Sequence, residues 1–181
     1  MFAMPFTEYE DSEELMMRKS LLNVERLSLL STAMAMSAAV SHAMELRPKM
    51  RYEPPVYVRL HRTLYPNFGR IAGPAEVVAV VTTAVLAWWT RKQQPAAFPL
   101  VSTAAGCLAA AHGIFWGVVQ PVNVEMVKWP LDAIPADWAR VRDRWEYGHA
   151  VRAGLVTIAL GALAWSLTDD QSQDSRRNEP C

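Results

Sequence analysis

A chain of 181 residues with 51% hydrophobic content and 18 basic against 18 acidic side chains has a net charge of zero. That is about one domain's worth of chain, with no global basic field to recruit nucleic acid. The two cysteines, Cys107 in an apolar run and Cys181 at the end, do not suggest a disulfide framework or a thiolate metal site. The charges are bunched at the ends and in two loops, which leaves apolar runs of roughly 18 to 23 residues, long enough to cross about 30 Å of hydrocarbon.

The opening MFAMPFTEYEDSEELMMRKS places acidic groups before basic ones, unlike a secretory signal, so 1–26 is expected to remain as a polar, amphipathic start. A short helix is expected from about Ser12, capped by Asp11 or Ser12. The first crossing, 27–46, is rich in Ala, Ser and Met; small residues let another helix approach closely, so it reads as a packed member of a bundle. His42 and Glu45 stand at i and i+3 near its far end. Across 47–70, prolines at 48, 54, 55 and 66 forbid one continuous helix. Tyr57, Leu60 and Leu64 fit one face of a short interfacial helix there, with His61 exposed on it.

The second crossing, 71–90, carries Pro74 in its first turn, Glu76 about a turn inside and a Trp88-Trp89 interfacial belt at its exit. After a tight polar turn, the third crossing, 98–120, holds His112 well inside the apolar stretch, and Pro121-Val122-Asn123 is expected to end it. The loop WPLDAIPADW reads as structured, and Asp137 caps a helix that runs from Trp138 into the fourth crossing, 150–167. The tail 168–181 is polar, lacks apolar periodicity and reads as disordered. The expectation is an all-α integral membrane four-helix up-down bundle over 27–167, with a short interfacial helix between helices one and two.

In such a bundle loops one and three share a membrane face, and the polar groups collect on it. His42 and Glu45 end helix one, Glu76 begins helix two, Gln120 and Asn123 close helix three, and Glu146, His149 and Arg152, three residues apart on one face, open helix four. His112 lies about 12 Å further along its helix and could form the floor of a pocket. Such groups are costly in lipid and turn toward the bundle interior.

Three elements together resemble a known family. They are LYPNFG before helix two, the Pro-x-Asn step of Pro121 and Asn123, and R-x-R-W-x-x-x-H-x-x-R (Arg142, Arg144, Trp145, His149, Arg152) leading into helix four. The pattern resembles a widespread group of four-helix membrane proteins of largely unknown function that includes the fungal anthrone oxygenases, and it covers roughly 27–167. The resemblance implies a four-helix fold and, for the enzymes of the group, O₂-dependent oxidation of an anthrone to an anthraquinone without an evident metal or flavin. The acidic start and the long polar tail have no counterpart in that pattern.

Three functions fit these residues. The first is a membrane-embedded oxygenase for a hydrophobic aromatic, anthrone- or quinol-like substrate. His149 or His112 would be the base, Arg152 and Asn123 would hold the oxyanion and Glu146 would share the catalytic face; Trp145, Trp116, Glu76 and Arg144 would contact substrate. No cofactor is expected for that reaction. The second places a metal on His42, Glu45, Glu146 and His149, because Glu-x-x-His spacing aims both side chains at one ion; the full di-iron pattern is incomplete here and reversed in helix one. The third is a non-catalytic scaffold, accessory subunit or small-molecule binder whose polar groups pair with each other, as Glu76 with Arg152 or Glu45 with Arg144. Expected partners are the lipid bilayer and a hydrophobic aromatic small molecule, not nucleic acid; a homo-oligomer or a partner membrane protein stays open.

Overall fold

The computed structural model describes residues 6–177; Cys181 lies outside the described residues. The elements are α1 (Phe6–Lys49), α2 (Pro54–Thr63), α3 (Tyr65–Gln93), α4 (Phe98–Ile114), a π-helical turn (Phe115–Val119), α5 (Gln120–Met126) and α6 (Trp138–Arg177). Four stretches, Leu15–Lys49, Tyr65–Gln93, Phe98–Met126 and Trp138–Thr168, are long and apolar enough to cross a membrane. The chain is an all-helical, multi-pass membrane protein.

Each helix is longer than the apolar run that signals it. α1 is continuous from Phe6, so Asp11 and Ser12 lie inside it rather than at its cap. α3 starts at Tyr65, with Pro66 tolerated in its first turn. α6 starts beside Asp137, whose carboxylate accepts from the Arg140 guanidinium at 2.6 Å, and continues past 168, where the apolar content stops, to Arg177.

The third crossing departs most from expectation, because Pro121 does not end it. Proline removes the N–H that would bond the carbonyl of Gly117, four residues back. The chain absorbs this by opening into the π-helical turn and restarting as α5 with Pro121 in its first turn. The released Gly117 carbonyl accepts a hydrogen bond from Arg144 Nη2 at 3.3 Å. Arg144 is thereby held to the π-helical turn instead of meeting Glu45.

α1 packs on α3 and α6, and α4 closes the ring by packing on the same two helices. The buried positions explain the contact: Ser28, Thr32, Ala35 and Ala39 on α1; Glu76, Ala79, Thr83 and Leu86 on α3; Val101, Ala104, Leu108 and Ala111 on α4; Val156, Ala159 and Leu163 on α6. They recur every three or four residues, so each helix shows its neighbours one stripe, mostly of small side chains that permit close approach. Thr90 Oγ1 bonds back to its own helix, to the Leu86 carbonyl at 2.9 Å, whereas the buried hydroxyls of Ser28, Thr32 and Thr83 make no hydrogen bond among the described residues. Glu25, Thr90, Val101 and Ser166 meet at one end of the ring. His42, Glu76, His112 and His149 meet toward the other.

At that second end a separate aromatic and aliphatic cluster joins α2, α3, the π-helical turn, α5, the following loop and the start of α6. α2 turns Tyr57, Val58 and His61 inward. Of the apolar face expected there, Tyr57 is buried, Leu60 is half-buried and Leu64 is exposed past the helix end, and His61 is buried rather than exposed. The reason is packing from both directions: Tyr57 reaches Glu146 on α6, while Arg62 Nη2 bonds the carbonyls of Met126 and Trp129.

One close approach is directly testable. A Cβ on Gly148 would meet Val119 Cγ2 at 3.1 Å and Val118 Cγ1 at 3.3 Å, whereas one on Gly154 meets nothing within 4 Å. Gly148→Leu is expected to destabilise the detergent-solubilised protein by about 1–3 kcal/mol through overpacking. Gly154→Leu should leave its thermal unfolding unchanged.

Candidate functional site

The polar half of the bundle encloses a cavity of about 540 Å³ between α1, α2, α3, α4, the π-helical turn, α5 and α6. That size suits a drug-sized organic ligand. All four histidines of the chain, His42, His61, His112 and His149, line it. So do Glu76, Trp116, Asn123, Trp145 and Arg152 among the residues singled out from sequence. Glu146, Arg144 and Glu45 do not.

Arg152 is the organising side chain. It is buried, and Glu76 of α3 accepts a short bond from its Nη2. Its Nε donates to the Ala111 carbonyl on α4 at 3.1 Å, and Nη1 lies 3.2 Å from His149 Nδ1 one turn earlier on α6. A guanidinium can only donate, so His149 Nδ1 is the acceptor and the His149 ring N–H sits on Nε2. The pairing of Glu76 with Arg152 anticipated from sequence is therefore present.

The second oxygen of Glu76 reaches His112. Its Oε1 lies 3.2 Å from His112 Nδ1, and the Trp116 indole N–H donates to His112 Nε2 at 3.0 Å. An indole has no acceptor, so His112 carries its proton on Nδ1, toward the carboxylate, and keeps a lone pair on Nε2. Carboxylate and imidazole here have the relation that orients a general base in many hydrolases. His149 lacks it, because a cation occupies its acceptor nitrogen.

Asn123 is a hub. Its Oδ1 accepts from Trp145 Nε1 at 2.7 Å and lies 3.1 Å from His61 Nε2, while Nδ2 donates to Gln120 Oε1 at 3.0 Å. Only one N–H of its amide remains for a ligand. Trp145, expected as a stacking platform, is 1% exposed and enclosed by His42, His61, Tyr65 and His149 at centroid distances of 5.1, 5.3, 5.0 and 4.2 Å. It forms a wall more than a platform.

Behind that wall Glu146 has other company. Tyr57 donates to its Oε1 at 2.7 Å, and Lys49 Nζ lies 3.0 Å from its Oε2. Lys49 also sits over the rings of Tyr65 and Trp145, at 5.0 and 4.8 Å, and contacts Glu45 at 3.5 Å. These contacts divide the four-residue metal set: His42 and His149 face each other at 4.3 Å with their rings tilted by 40°, and Glu45 Oε2 lies 4.0 Å from His42 Nδ1, but Glu146 is taken by Lys49 and Tyr57. Among the described residues no three His, Cys, Asp or Glu side chains are grouped to hold a metal ion.

Sequence reading missed Lys49 and His61. Lys49 falls next to a proline in what looks like a loop, and its burial depends on α1 running to its very end. His61 looked solvated because α2 was read by its leucines. Burial pushes the His61 imidazole from its ordinary 6.5 down to about 4, with the Asn123 bond a smaller opposing influence. Burial, followed by the neighbouring Glu146 carboxylate, raises the Tyr57 hydroxyl well above its ordinary range.

Fold and site together define a multi-pass membrane protein with a histidine-lined cavity in one half of a helical bundle. The family model described as anthrone oxygenase matches residues 63–162, more than half of the chain, and the chain belongs to that family. No curated protein and no solved structure matches it. The matched stretch contains Glu76, His112, Asn123, His149 and Arg152, while His42, Lys49 and His61 lie before it.

Two outcomes follow. Glu146→Ala leaves the buried Lys49 with only the partly exposed Glu45 as a charge partner and is expected to cost up to about 3–5 kcal/mol in detergent unfolding, and combining Lys49→Met with Glu146→Leu should recover most of that. The depressed His61 value makes the unfolded chain bind a proton that the folded chain refuses as pH falls from 6.5 toward 4. Stability from this source is complete above pH 6.5 and drains through that window, by up to about 1.4 kcal/mol per pH unit. His61→Gln should show a correspondingly shallower loss in unfolding curves measured across it.

Proposed function

We propose that the protein is an oxygenase for a hydrophobic aromatic substrate of the anthrone or quinol type, with His112 as its base. The observation that supports this best is the Glu76–His112 pair in a cavity also lined by Arg152 and by aromatic rings, with the His112 Nε2 lone pair accepting from the Trp116 indole that a substrate would displace. Family membership supports the class of reaction.

In an anthrone the ring CH₂ opposite the carbonyl is acidic, because its carbanion becomes a phenolate-like oxyanion. His112 Nε2 takes the first proton, and Glu76 stabilises the imidazolium that forms. Arg152 supplies positive charge to the oxyanion in a site of low dielectric. The carbanion then donates an electron to O₂, the two radicals combine in a C–O bond, and protonation gives a hydroperoxide. Loss of the second C–H proton with cleavage of the O–O bond leaves the ketone and releases water. The substrate thus supplies all four electrons that O₂ accepts: CH₂ plus O₂ becomes C=O plus H₂O.

A non-catalytic reading also has an observation behind it, since Glu76, Arg152 and His149 already satisfy one another. Turnover separates the two. With anthrone in detergent or nanodiscs, O₂ uptake and quinone absorbance should exceed spontaneous oxidation. His112→Ala should lower that rate at least about 100-fold while leaving the melting temperature near wild type. A wild-type rate no faster than the spontaneous one, for anthrones and quinols alike, would leave only the structural network; full activity in His112→Ala would remove His112 as the base.

A further inference from the structure

The cavity is closed on its α1 and α6 sides by buried groups, but not on the side between α3 and the π-helical turn. There the lining includes Val77, 49% exposed, and Trp116, 58% exposed. α3 packs along α4, whereas the π-helical turn and α5 pack on α6 and make no comparable contact with α3. The lining on the two sides of this gap comes from Gly73 and Val77, which flank Pro74 inside α3, and from Phe115 and Trp116 of the π-helical turn, so both walls lie where regular α-helical bonding is interrupted. Gly73 lines this gap, and a Cβ built on it meets nothing within 4 Å. Beyond the exposed Arg70 at the start of the lining, Ile71 and Val81, 67% and 55% exposed, make the α3 surface apolar within the Tyr65–Gln93 span, so from Ile71 on the gap faces hydrocarbon.

Trp116 stands across this gap with its indole N–H on His112 Nε2. The same bond that holds the ring in place occupies the lone pair that the base needs. We propose that ligand reaches the cavity sideways from the bilayer, through the slot between α3 and the π-helical turn, and that Trp116 is its gate. The ligand is a planar aromatic ketone or quinone dissolved in the hydrocarbon. It slides past Gly73 and displaces the indole, which uncaps His112 as the ligand arrives, so the base is exposed only when the slot is filled. The inference rests on the cavity being a site for such ligands and adds the route and the residue that controls it.

The test uses the full-length protein in phosphatidylcholine nanodiscs, with 1,8-dihydroxyanthraquinone as the probe and its fluorescence followed by stopped flow. Gly73→Trp, which plugs the slot, should slow association at least about tenfold, and Trp116→Ala should accelerate it. Gly154→Trp, at an open position on α6, should bind at the wild-type rate. Val77→Trp is the second plug should Gly73→Trp fail to assemble. Wild-type binding with unchanged association in the plugged variant overturns the lateral route while the ligand class stands. Unchanged association in Trp116→Ala removes the gate. No probe binding by the wild type overturns the ligand class and this route with it.

Discussion

Arg152 carries a guanidinium into the part of the bundle where hydrocarbon surrounds the helices, and the arrangement of the site follows from how that charge is neutralised. Glu76 on α3 accepts from one nitrogen, the Ala111 carbonyl on α4 from a second, and His149 on its own helix from a third. Three helices are thus fixed relative to one side chain. A buried ion pair of this kind adds little net stability over apolar packing, but losing one partner leaves the other unpaired at a cost of about 3–5 kcal/mol, so it selects one register among many that small residues alone would permit.

The same pair assigns roles to the histidines. Because Arg152 can only donate, His149 is committed as an acceptor; because Glu76 has a second oxygen, His112 is oriented as an acceptor on its other nitrogen. Two imidazoles on neighbouring helices, alike in sequence terms, differ chemically through which neighbour reaches them first. The different placement of the proton on the two rings is a consequence of hydrogen-bond valence.

The other half of the bundle has a different logic. From Ala35 through Leu108 and Ala159 to Leu163 it is packed with small and aliphatic side chains. The polar half needs α1 and α2 as well as the family-matched segment: His42, Lys49, Tyr57 and His61 all precede residue 63. Lys49 and Tyr57 hold Glu146 behind Trp145, and His61 with Trp145 holds Asn123. Part of the cavity wall, His42 and His61 included, is therefore built by chain that precedes the matched segment.

Much of this was legible in the sequence, for definite reasons. Crossing a membrane requires a long apolar run, so the four spans were visible from composition alone; an ionisable group in such a run must face inward, so His112, Glu76, His149 and Arg152 could be placed on one cavity. Three-residue spacing put His149 and Arg152 on the same face. Tertiary structure decided what spacing cannot encode. Pro121 is absorbed in a π-helical turn rather than ending the helix, and the Gly117 carbonyl it leaves without an N–H partner accepts from Arg144 on a helix distant in sequence. Whether His61 is solvated depends on what packs over α2, and whether Glu146 points to the cavity or to Lys49 depends on a residue almost a hundred positions away. Local pattern fixes which side chains must leave the lipid; only the packed helices decide which of them then meet.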